Sequence, residues 1–304
     1  MIRYMLAACA LKVFSINNAT NSAYRWLGNV IGAQKRVKAG IPQFYLDRAR
    51  KIIADTERFD AIKPGDRLLE IGTGWFHWES TILRLVHDVE VNLVDVWDNR
   101  QFPVFKEYFA VLDKTIEKEI PSLDGKINRV HEYLSKLQQT NSFDEAYQIL
   151  GHKYFVNPKG TLDQFPDNHF NLIFSSSVLE HVTKEDVPAF MKDCYRVLKP
   201  GGLCIHLVDL GDHLTLYDKT MPYNKNYLRY SNSVWRSFFE NKVQYFNRIQ
   251  RSEWMKYFAD AGFVVVEERP EPINISDVKI SKDFAKFGKD DLECLTLNVV
   301  HRKP

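Results

Sequence analysis

The stretch that decides the fold of this chain is Arg67-Leu-Leu-Glu-Ile-Gly-Thr-Gly-Trp-Phe-His-Trp78. It predicts a buried strand over 67–71 that runs through a turn at Gly72 and Gly74 into a helix. Because neither glycine has a Cβ atom, a ligand can approach the backbone closely, and the first N–H groups of the helix point toward it. A tight turn without a ligand is the alternative, since glycine often marks turns alone.

The residues around the two glycines favour an adenosyl cofactor over a dinucleotide. A dinucleotide site requires a third glycine, where this chain has His77. Glu70, just before the turn, suits the ammonium group of a methionyl moiety better than a pyrophosphate. Asp95, at the end of the second predicted strand, is a candidate for binding both ribose hydroxyls, with Asp98 as a rival. A helix N-cap is the alternative role for Asp95.

Short apolar runs alternate with helical stretches along the rest of the chain. Seven strands are predicted, over 67–71, 89–95, 153–156, 170–174, 203–208, 263–267 and 292–300. This alternation predicts an α/β fold with a doubly wound, mostly parallel, Rossmann-like sheet. The predicted organisation is a helical N-terminal cap over 1–60 and one domain over 61–304. That domain carries insertions at about 100–150 and 210–250, and connections of such length often form binding surfaces.

Two further stretches indicate a family. They are Pro166-Asp-Asn-His-Phe-Asn-Leu-Ile-Phe-Ser-Ser-Ser-Val-Leu-Glu-His-Val182 and Arg196-Val-Leu-Lys-Pro-Gly-Gly202. Together with Leu68–Phe76, they resemble the class I S-adenosylmethionine-dependent methyltransferases, in particular the subgroup often called methyltransferase domain 11. The resemblance covers roughly residues 62–209, and the ordered set of motifs is more specific than any single one.

The resemblance implies S-adenosyl-L-methionine as the cofactor. The residues it implies for cofactor binding, with Glu70 included, are Glu70, Gly72, Thr73, Gly74, Asp95, Thr161, Leu162, Ser175 and Ser176. In the family's arrangement the glycines contact the methionyl part and Asp95 the ribose, while 160–163 lies near the adenine and 175–177 beside the sulfonium. Phe76 replaces the third glycine of the motif and is expected to narrow the cofactor cleft. The Asn-Pro-Pro-Tyr motif typical of DNA adenine methylation is absent.

Candidate catalytic residues follow the fifth predicted strand. Asp209, Asp212 and His213 are the first candidates, and His181 is a second candidate base. Methyl transfer to a hydroxyl requires removal of a proton, and we hypothesise that His213, oriented by a carboxylate, accepts it. The alternative is that Asp212 caps a helix and His213 only packs. A metal site through His206, Asp209 and His213 is disfavoured by the alternation of strand side chains, and no metal is expected.

The second insertion supplies candidate substrate contacts. They are Tyr217, Tyr230, Asn247 and Arg248. Tyrosines suit a polar ring or a sugar, and Asn247 with Arg248 suits an anionic group. A helical subdomain that packs its own aromatic residues is the alternative. Tyr45 and Arg48, before the sheet, are candidates for closing over the cofactor.

Net charge, cysteine spacing and the apolar N-terminal run bear on the partners and the location of the protein. The formal net charge is +2 and gives no overall electrostatic footprint for nucleic acid, so the cluster at 35–38 is expected to be a solvated helix face. The four cysteines show no metal-ligand spacing, which favours a reducing, cytoplasmic location. The apolar run over 4–11 is too short to span a bilayer and predicts an amphipathic or buried N-terminal helix. Weak peripheral membrane contact through this helix is the alternative.

These features together predict a methyltransferase that acts on a small molecule, a glycan or a secondary metabolite. The predicted methyl acceptor is an oxygen atom, and the predicted mechanism is in-line transfer. Two alternatives stay open at this point: a non-catalytic module that binds S-adenosylmethionine, and a nicotinamide-dependent oxidoreductase.

Overall fold

The strands of the chain form one seven-stranded sheet. A computed structural model describes residues 2–123, 125–218 and 220–304. The strands are β1 Arg67–Ile71, β2 Glu90–Asp95, β3 His152–Val156, β4 Phe170–Ser176, β5 Leu198–Asp209, β6 Val264–Pro272 and β7 Cys294–Arg302. Their order is β3-β2-β1-β4-β5-β7-β6. The pairs β1–β2, β1–β4 and β2–β3 are parallel and β6–β7 is antiparallel, which confirms the predicted doubly wound, mostly parallel fold.

The strand order reverses between β1 and β4. β2 and β3 lie on one side of β1, and β4 pairs with its other side through Leu68↔Leu172 and Glu70↔Phe174. Crossover connections therefore leave β1 and β4 toward opposite sides. Ligands of open α/β sheets bind outside the carboxyl ends of the strands at such a reversal. The glycine turn predicted from the sequence follows the carboxyl end of β1 directly.

Eleven α-helices occur in the described residues. They are α1 Ile2–Phe14, α2 Asn18–Ala39, α3 Gln43–Arg58, α4 Trp78–Val86, α5 Phe102–Glu119, α6 Ile127–Gln138, α7 Phe143–Leu150, α8 Val187–Val197, α9 Asn232–Phe238, α10 Arg251–Asp260 and α11 Lys289–Glu293. None of the helices described has the length and apolarity needed to cross a membrane. Several predicted strand boundaries differ, most of all for β5, which begins at Leu198 instead of 203 and includes Gly201 at a φ of 79°, and for β6, which ends at Pro272 instead of 267.

The chain forms two compact units. The first contains residues 27–174 and 196–203, and the second contains the residues up to Trp26 with 175–195 and 204–304. In the first unit, the predicted insertion at 100–150 folds as α5, α6 and α7, whose apolar faces pack with α3 and α4 around Trp78, Phe105 and Tyr108. In the second unit, α1 packs Tyr4, Ala8 and Leu11 against the residues that follow β5. The division into a 1–60 cap and a 61–304 domain stays a prediction.

Candidate functional site

The turn after β1 depends on its glycines. Gly72 and Gly74 have φ values of 66° and 67°, in the left-handed region that residues with a Cβ atom rarely adopt. The N–H of Gly72 donates to the carbonyl of Val94 at 2.8 Å, which ties the turn to the neighbouring strand β2. His77, at a φ of 50°, completes the turn and α4 begins at Trp78. The backbone at Gly74 is open, since an added Cβ would meet its nearest atom at 4.0 Å.

Asp95 holds this turn in place from the end of β2. Its carboxylate accepts the N–H of Gly74 at 3.1 Å with one oxygen and the N–H of Val96 at 2.8 Å with the other. Burial raises the pKa of Asp95 to about 6, although these backbone bonds act to lower it. The N-cap role that the sequence left open is not what the structure shows for Asp95, because α5 begins seven residues later at Phe102.

Glu70 is a buried carboxylate at the carboxyl end of β1. Its side chain is 4% exposed, and within the described part of the chain its Oε2 atom has no hydrogen-bond partner. Burial and the nearby charge of Glu79 raise the pKa of Glu70. Arg48 of α3 forms an ion pair with Glu79 rather than with Glu70. Glu70 is therefore a buried acceptor whose second oxygen fits a cationic group brought by a ligand.

The bulky residues of the turn face the helical core. Phe76 is 2% exposed and packs edge-to-face on Tyr45 and Tyr108, with 4.9 Å between ring centroids in both pairs. The expectation that Phe76 narrows the cofactor cleft is therefore wrong, because its ring fills the core between α3 and α5. Tyr45 also accepts the indole N–H of Trp78 at 2.7 Å through its carbonyl. Tyr45 is thus a packing residue for α4.

The turn is also held by a series of side-chain hydrogen bonds that the sequence did not predict. The imidazole of His77 is bonded to the Thr73 hydroxyl on one nitrogen and to the Tyr147 hydroxyl on the other, at 2.6 Å for the latter. Burial, with the charge of Arg100, lowers the pKa of His77 to about 3, so this imidazole is neutral. Tyr147 comes from α7, and the long insertion therefore positions the glycine turn after β1.

A second unpredicted contact brings α2 onto the turn. The Arg36 guanidinium lies 3.3 Å from the centroid of the Trp75 ring and donates to the Gln101 side chain at 2.9 Å. Gln101 in turn donates to Asn29 of α2 at 3.0 Å. The predicted solvated character of the cluster at 35–38 is thus wrong for Arg36, which is half-buried on an aromatic face. Nothing in the spacing of these residues in the sequence indicates the contact.

The predicted adenine segment is a braced loop after β3. The Asn157 side chain donates to the carbonyl and hydroxyl of Thr161 at 2.9 and 3.1 Å. Gly160 has a φ of 67°. Arg196 donates to the carbonyl of Leu162 at 2.9 Å, and the Leu162 side chain is fully buried. These bonds fix the backbone of 157–164, so any contact to a ligand from Leu162 comes through its main chain.

His213 and Asp209 meet at the carboxyl end of β5. Nε2 of His213 lies 3.6 Å from Oδ2 of Asp209. Asp209 also accepts the Tyr223 hydroxyl and, at 2.8 Å, the N–H of Gly211. Burial acts to raise the pKa of Asp209, but His213, Tyr223 and Gly211 outweigh it and hold the pKa below its usual range. An ionised carboxylate beside an imidazole is the arrangement that orients a histidine and stabilises its protonated form.

Asp212 is placed differently from the other catalytic candidates. Its carboxylate caps the 3₁₀ turn His213–Tyr217 by accepting the N–H of Leu214 at 3.0 Å, and it accepts the Tyr4 hydroxyl at 2.8 Å. The residue has no exposed surface, and burial raises its pKa to about 7. This is the capping role that the sequence left open. Asp212 therefore supports the loop and is not available to a substrate.

The remaining histidine candidates separate into two places. His181 lies with its ring 5.1 Å from the ring of His213, and its Nδ1 is 2.5 Å from the carbonyl of Tyr245. His206 is buried, bonded to the Ser175 hydroxyl at 2.8 Å, and burial lowers its pKa to about 3. The structure thus couples Ser175 to His206 rather than leaving either side chain open. Among the residues described, Glu180, His181 and His213 place potential metal-ligating atoms within 4.8 Å of one another.

The four candidate substrate residues have unequal surroundings. Tyr217 is partly exposed, with its hydroxyl 3.3 Å from that of Tyr24. Tyr230 packs on the Phe239 ring at 4.3 Å, which is the aromatic packing left open as an alternative. Asn247 donates to the carbonyls of Leu179 and Val182 at 2.9 and 3.0 Å and so fixes the turn that carries His181.

Arg248 lines a cavity of about 650 Å³ in the second unit. Its guanidinium lies 4.8 Å from the Trp235 ring centroid and donates to Asn232 at 2.7 Å. Within the described residues, its buried Nη1 atom has no hydrogen-bond partner. Phe246 also lines this cavity and packs at 5.0 Å on His213.

Comparison with known proteins finds one matching family model and several similar solved structures. A family model described as a methyltransferase domain matches residues 45–268. Among solved structures, phosphoethanolamine N-methyltransferase 2 of Haemonchus contortus is 17% identical, with a TM-score of 0.47, 84% of this chain covered and 52% of that one. The chain thus spans about half the length of this relative. An S-adenosylmethionine-dependent methyltransferase of Methanosarcina mazei is 16% identical, with a TM-score of 0.46 and coverage of 81% and 96%. One from Mesorhizobium loti is 15% identical, with a TM-score of 0.43 and coverage of 82% and 97%.

Proposed function

The chain belongs to the methyltransferase domain family, and from that premise we propose that it is an S-adenosylmethionine-dependent enzyme that methylates a hydroxyl oxygen of a small molecule. The observation that carries the proposal is the pair of His213 and Asp209 at the carboxyl end of β5. Transfer to an amine in its free-base form needs little help with its proton, whereas a hydroxyl must lose one. A histidine backed by an ionised carboxylate suits that requirement.

The cofactor is held, in this proposal, by the turn after β1. Glu70 offers its buried Oε2 to the ammonium group, the backbone of Gly72, Thr73 and Gly74 faces the methionyl chain, and Asp95 accepts the ribose hydroxyls. Thr161 and Leu162 offer main-chain groups to the adenine, and Ser175 and Ser176 end the fourth strand beside the sulfonium in the family's arrangement. The bound cofactor supplies a methyl group on a positively charged sulfur. The chain's own task is orientation, which contributes about 7–11 kcal/mol in favourable cases.

The proton moves from the acceptor hydroxyl to the imidazole of His213 as the oxygen attacks the methyl carbon. A bond forms between oxygen and carbon while the carbon–sulfur bond breaks and leaves its electron pair on sulfur. Asp209 stabilises the imidazolium that results, since it lies 3.6 Å away and is held ionised by Tyr223 and Gly211. The ring of His181 packs on the ring of His213, and its Nδ1 faces the Tyr245 carbonyl, so we assign it no proton-transfer role.

The size expected of the acceptor is taken from a cavity in the same unit, which is lined by Phe246 but not by His213 or Asp209 themselves. A volume of about 650 Å³ lies within the range of small-molecule pockets, about 300–1,000 Å³. Phe246 connects the cavity wall to His213, and Arg248 supplies a buried cation with one open nitrogen. These groups suit a small ring compound or sugar with an anionic substituent.

A turnover assay with matched acceptors tests the proposal. The enzyme is given S-adenosylmethionine with a labelled methyl group and a panel of phenols and sugars, each paired with the corresponding amine. We expect label transfer to hydroxyl compounds, and a fall in kcat of about 10³-fold in His213→Ala. His131→Ala is the matched control, because His131 also pairs with a carboxylate, Asp113, at 2.7 Å on a partly exposed surface.

Three results would count against this function. Transfer to amines alone would exclude the hydroxyl acceptor. Unchanged kcat in His213→Ala, with the cofactor Kd also unchanged, would remove His213 from proton transfer. Loss of activity on treatment with a chelator, restored by a divalent cation, would show that the cluster of Glu180, His181 and His213 works as a metal site instead of through a free imidazole.

A further inference from the structure

The charges of the chain are distributed unevenly. The sequence has 41 Lys and Arg and 39 Asp and Glu, yet its first acidic residue is Asp47. The 46 residues before it carry six cations: Arg3, Lys12, Arg25, Lys35, Arg36 and Lys38. The remaining residues hold 35 cations and 39 anions, so the basic character of the whole chain comes from α1 and α2.

The exposed face of α1 is apolar. Ile2, Met5, Leu6 and Val13 are exposed and recur at the three- and four-residue spacing of one helix face, with Ile16 following in the same register. Ile2 is 78% exposed and Leu6 is 64% exposed. An amphipathic surface helix normally turns such a stripe toward the core and its polar residues toward water.

The opposite face of α1 already makes the contact with the fold. Tyr4, Ala8 and Leu11 are buried and pack with the residues after β5, and Tyr4 donates to the buried carboxylate of Asp212 at 2.8 Å. The helix is therefore fixed by one face. The stripe of Ile2, Leu6 and Val13 is a second apolar face that this packing does not use.

α2 carries a similar surface. Trp26, Leu27, Val30 and Ile31 are exposed at adjacent helical positions, and none of the 22 residues of this helix is buried. Trp26 is 60% exposed. A tryptophan on an exposed apolar strip is typical of helices that lie at a membrane interface, where the ring is apolar and its N–H stays solvated.

The cations divide into those used by the fold and those that face outward. Lys12 donates to the carbonyls of Arg236 and Ser237, and Arg36 lies on Trp75. Arg3, Lys35 and Lys38 are exposed. Exposed cations beside an apolar helix face, here Arg3 on α1 with Lys35 and Lys38 on α2, are typical of interfacial helices that bind acidic headgroups.

We propose that α1 and the adjoining part of α2 bind the surface of a membrane that contains anionic phospholipids. The apolar residues enter the boundary between headgroups and acyl chains, and the exposed side chains of Arg3, Lys35 and Lys38 contact the negative headgroups. A second copy of the chain fits this surface less well. A two-fold contact would oppose the same cations to one another without any carboxylate from the first 46 residues.

Vesicle flotation of the full-length chain tests this proposal. The probes are vesicles of phosphatidylcholine alone and of phosphatidylglycerol with phosphatidylcholine in a ratio of roughly 1:3. We expect binding to the mixed vesicles and little to the neutral ones. The bound fraction should fall when the salt concentration is raised from about 0.05 M to about 0.5 M, because headgroup attraction is then screened.

Paired variants distinguish binding through this surface from nonspecific adsorption of exposed apolar residues to vesicles. Leu6→Ser with Val13→Ser should lower partitioning to mixed vesicles by about tenfold or more, and Lys35→Glu with Lys38→Glu by about tenfold. The matched control is Val264→Ser with Val265→Ser, since Val13 and Val264 are both 55% exposed. The control should bind as the parent does. Melting temperature and S-adenosylhomocysteine binding are measured for each variant, so that a misfolded protein is recognised.

Several outcomes would overturn the proposal. Equal binding to neutral and anionic vesicles, or no binding to either, excludes recognition of acidic headgroups. A control variant that loses as much binding as the α1 variant shows that the surface is not specific. A sedimentation experiment that finds a dimer, dissolved by Leu6→Ser with Val13→Ser and without vesicle binding, assigns this surface to a second copy instead.

Discussion

The turn after β1 and the loop after β5 are assigned the two parts of the proposed chemistry, cofactor binding and proton removal, and they are built in different ways. The turn consists mainly of backbone: two glycines at positive φ, a carbonyl of β2 and the N–H groups that meet Asp95. The loop after β5 consists of side chains: His213 and Tyr223 lie four and fourteen residues after Asp209, and Tyr4 of α1 supports Asp212 from outside the loop. A backbone site needs particular residues at fixed spacing, whereas a side-chain site needs only that distant segments meet.

The largest expected effect tests the backbone half through Asp95. In Asp95→Ala, the N–H groups of Gly74 and Val96 lose their acceptor and the proposed ribose contact disappears. Hydrogen bonds to charged groups contribute about 1.5–3 kcal/mol each, so we expect the Kd for S-adenosylhomocysteine to rise by about 100-fold. Calorimetric titration measures it.

Asp98→Ala is the matched control for this prediction. Asp98 lies three residues further along, with its carboxylate paired to Arg100 at 2.7 Å on an exposed surface. Its removal should change the Kd by less than about threefold, since exposed ion pairs contribute little. Equal affinities of the two variants would mean that Asp95 does not bind the ribose and only supports the turn. Asp98, the alternative candidate from the sequence, would then have to be tested as the ribose ligand.

The sequence was sufficient for the fold and for the glycine turn after β1. Strand β1 was predicted over its exact span, 67–71, and the alternation of strands and helices gave the correct sheet type. The reason is physical. A glycine at positive φ, or an apolar run of five residues, is a local requirement, and local requirements leave a pattern in neighbouring residues.

The side-chain half was only partly accessible. His213 and Asp209, four residues apart, are both predicted from the sequence, but the hydroxyl that supports the buried Asp212 comes from far away. Tyr4 lies 208 residues from Asp212, and Arg36 reaches Gln101 across 65 residues. Phe76 was interpreted wrongly for the same reason, because α3 and α5, which enclose its ring, leave no trace beside it in the sequence.

The second expected effect is a pH dependence of the affinity for S-adenosylhomocysteine, which tests the turn after β1. Burial raises the pKa of Asp95 to about 6, so below that pH the free protein carries a proton that must leave before the carboxylate can accept two ribose hydroxyls. Affinity for S-adenosylhomocysteine should therefore fall with decreasing pH below about 6, by up to about tenfold per pH unit. Titrations between pH 5 and 8 measure this slope.

The variant Asp95→Asn assigns the slope. It should bind more weakly and lose the part of the dependence that Asp95 contributes. Burial and Glu79 also raise the pKa of Glu70, whose ionisation strengthens binding of the ammonium group in the same direction. Glu70→Gln therefore removes a separate part of the slope. A pH dependence that survives unchanged in the double variant, Asp95→Asn with Glu70→Gln, would contradict the assignment to these carboxylates.

The smallest expected effect tests whether the side-chain half depends on its distant support. Tyr4→Phe removes only the hydroxyl that donates to Asp212, and leaves a fully buried oxygen of that carboxylate without its donor. We expect the free energy of unfolding to fall by about 1–2 kcal/mol, measured in urea. Tyr217→Phe, which removes a hydroxyl from a partly exposed ring, should cost less than about 0.5 kcal/mol.

The pH dependence of the Tyr4→Phe effect distinguishes this bond from simple packing. Burial raises the pKa of Asp212 to about 7, and the Tyr4 hydroxyl acts to lower it, because it stabilises the ionised form. The bond is strongest when Asp212 is charged, so the destabilisation should grow as the pH rises through about 7 and shrink toward pH 5, where the carboxyl is neutral. A loss of stability that is the same at pH 5 and pH 8 would mean that Tyr4 stabilises the loop after β5 through its ring alone. In that case the position of His213 would depend on apolar packing by α1, and not on the polar chain from Tyr4 through Asp212 to the turn that begins with His213.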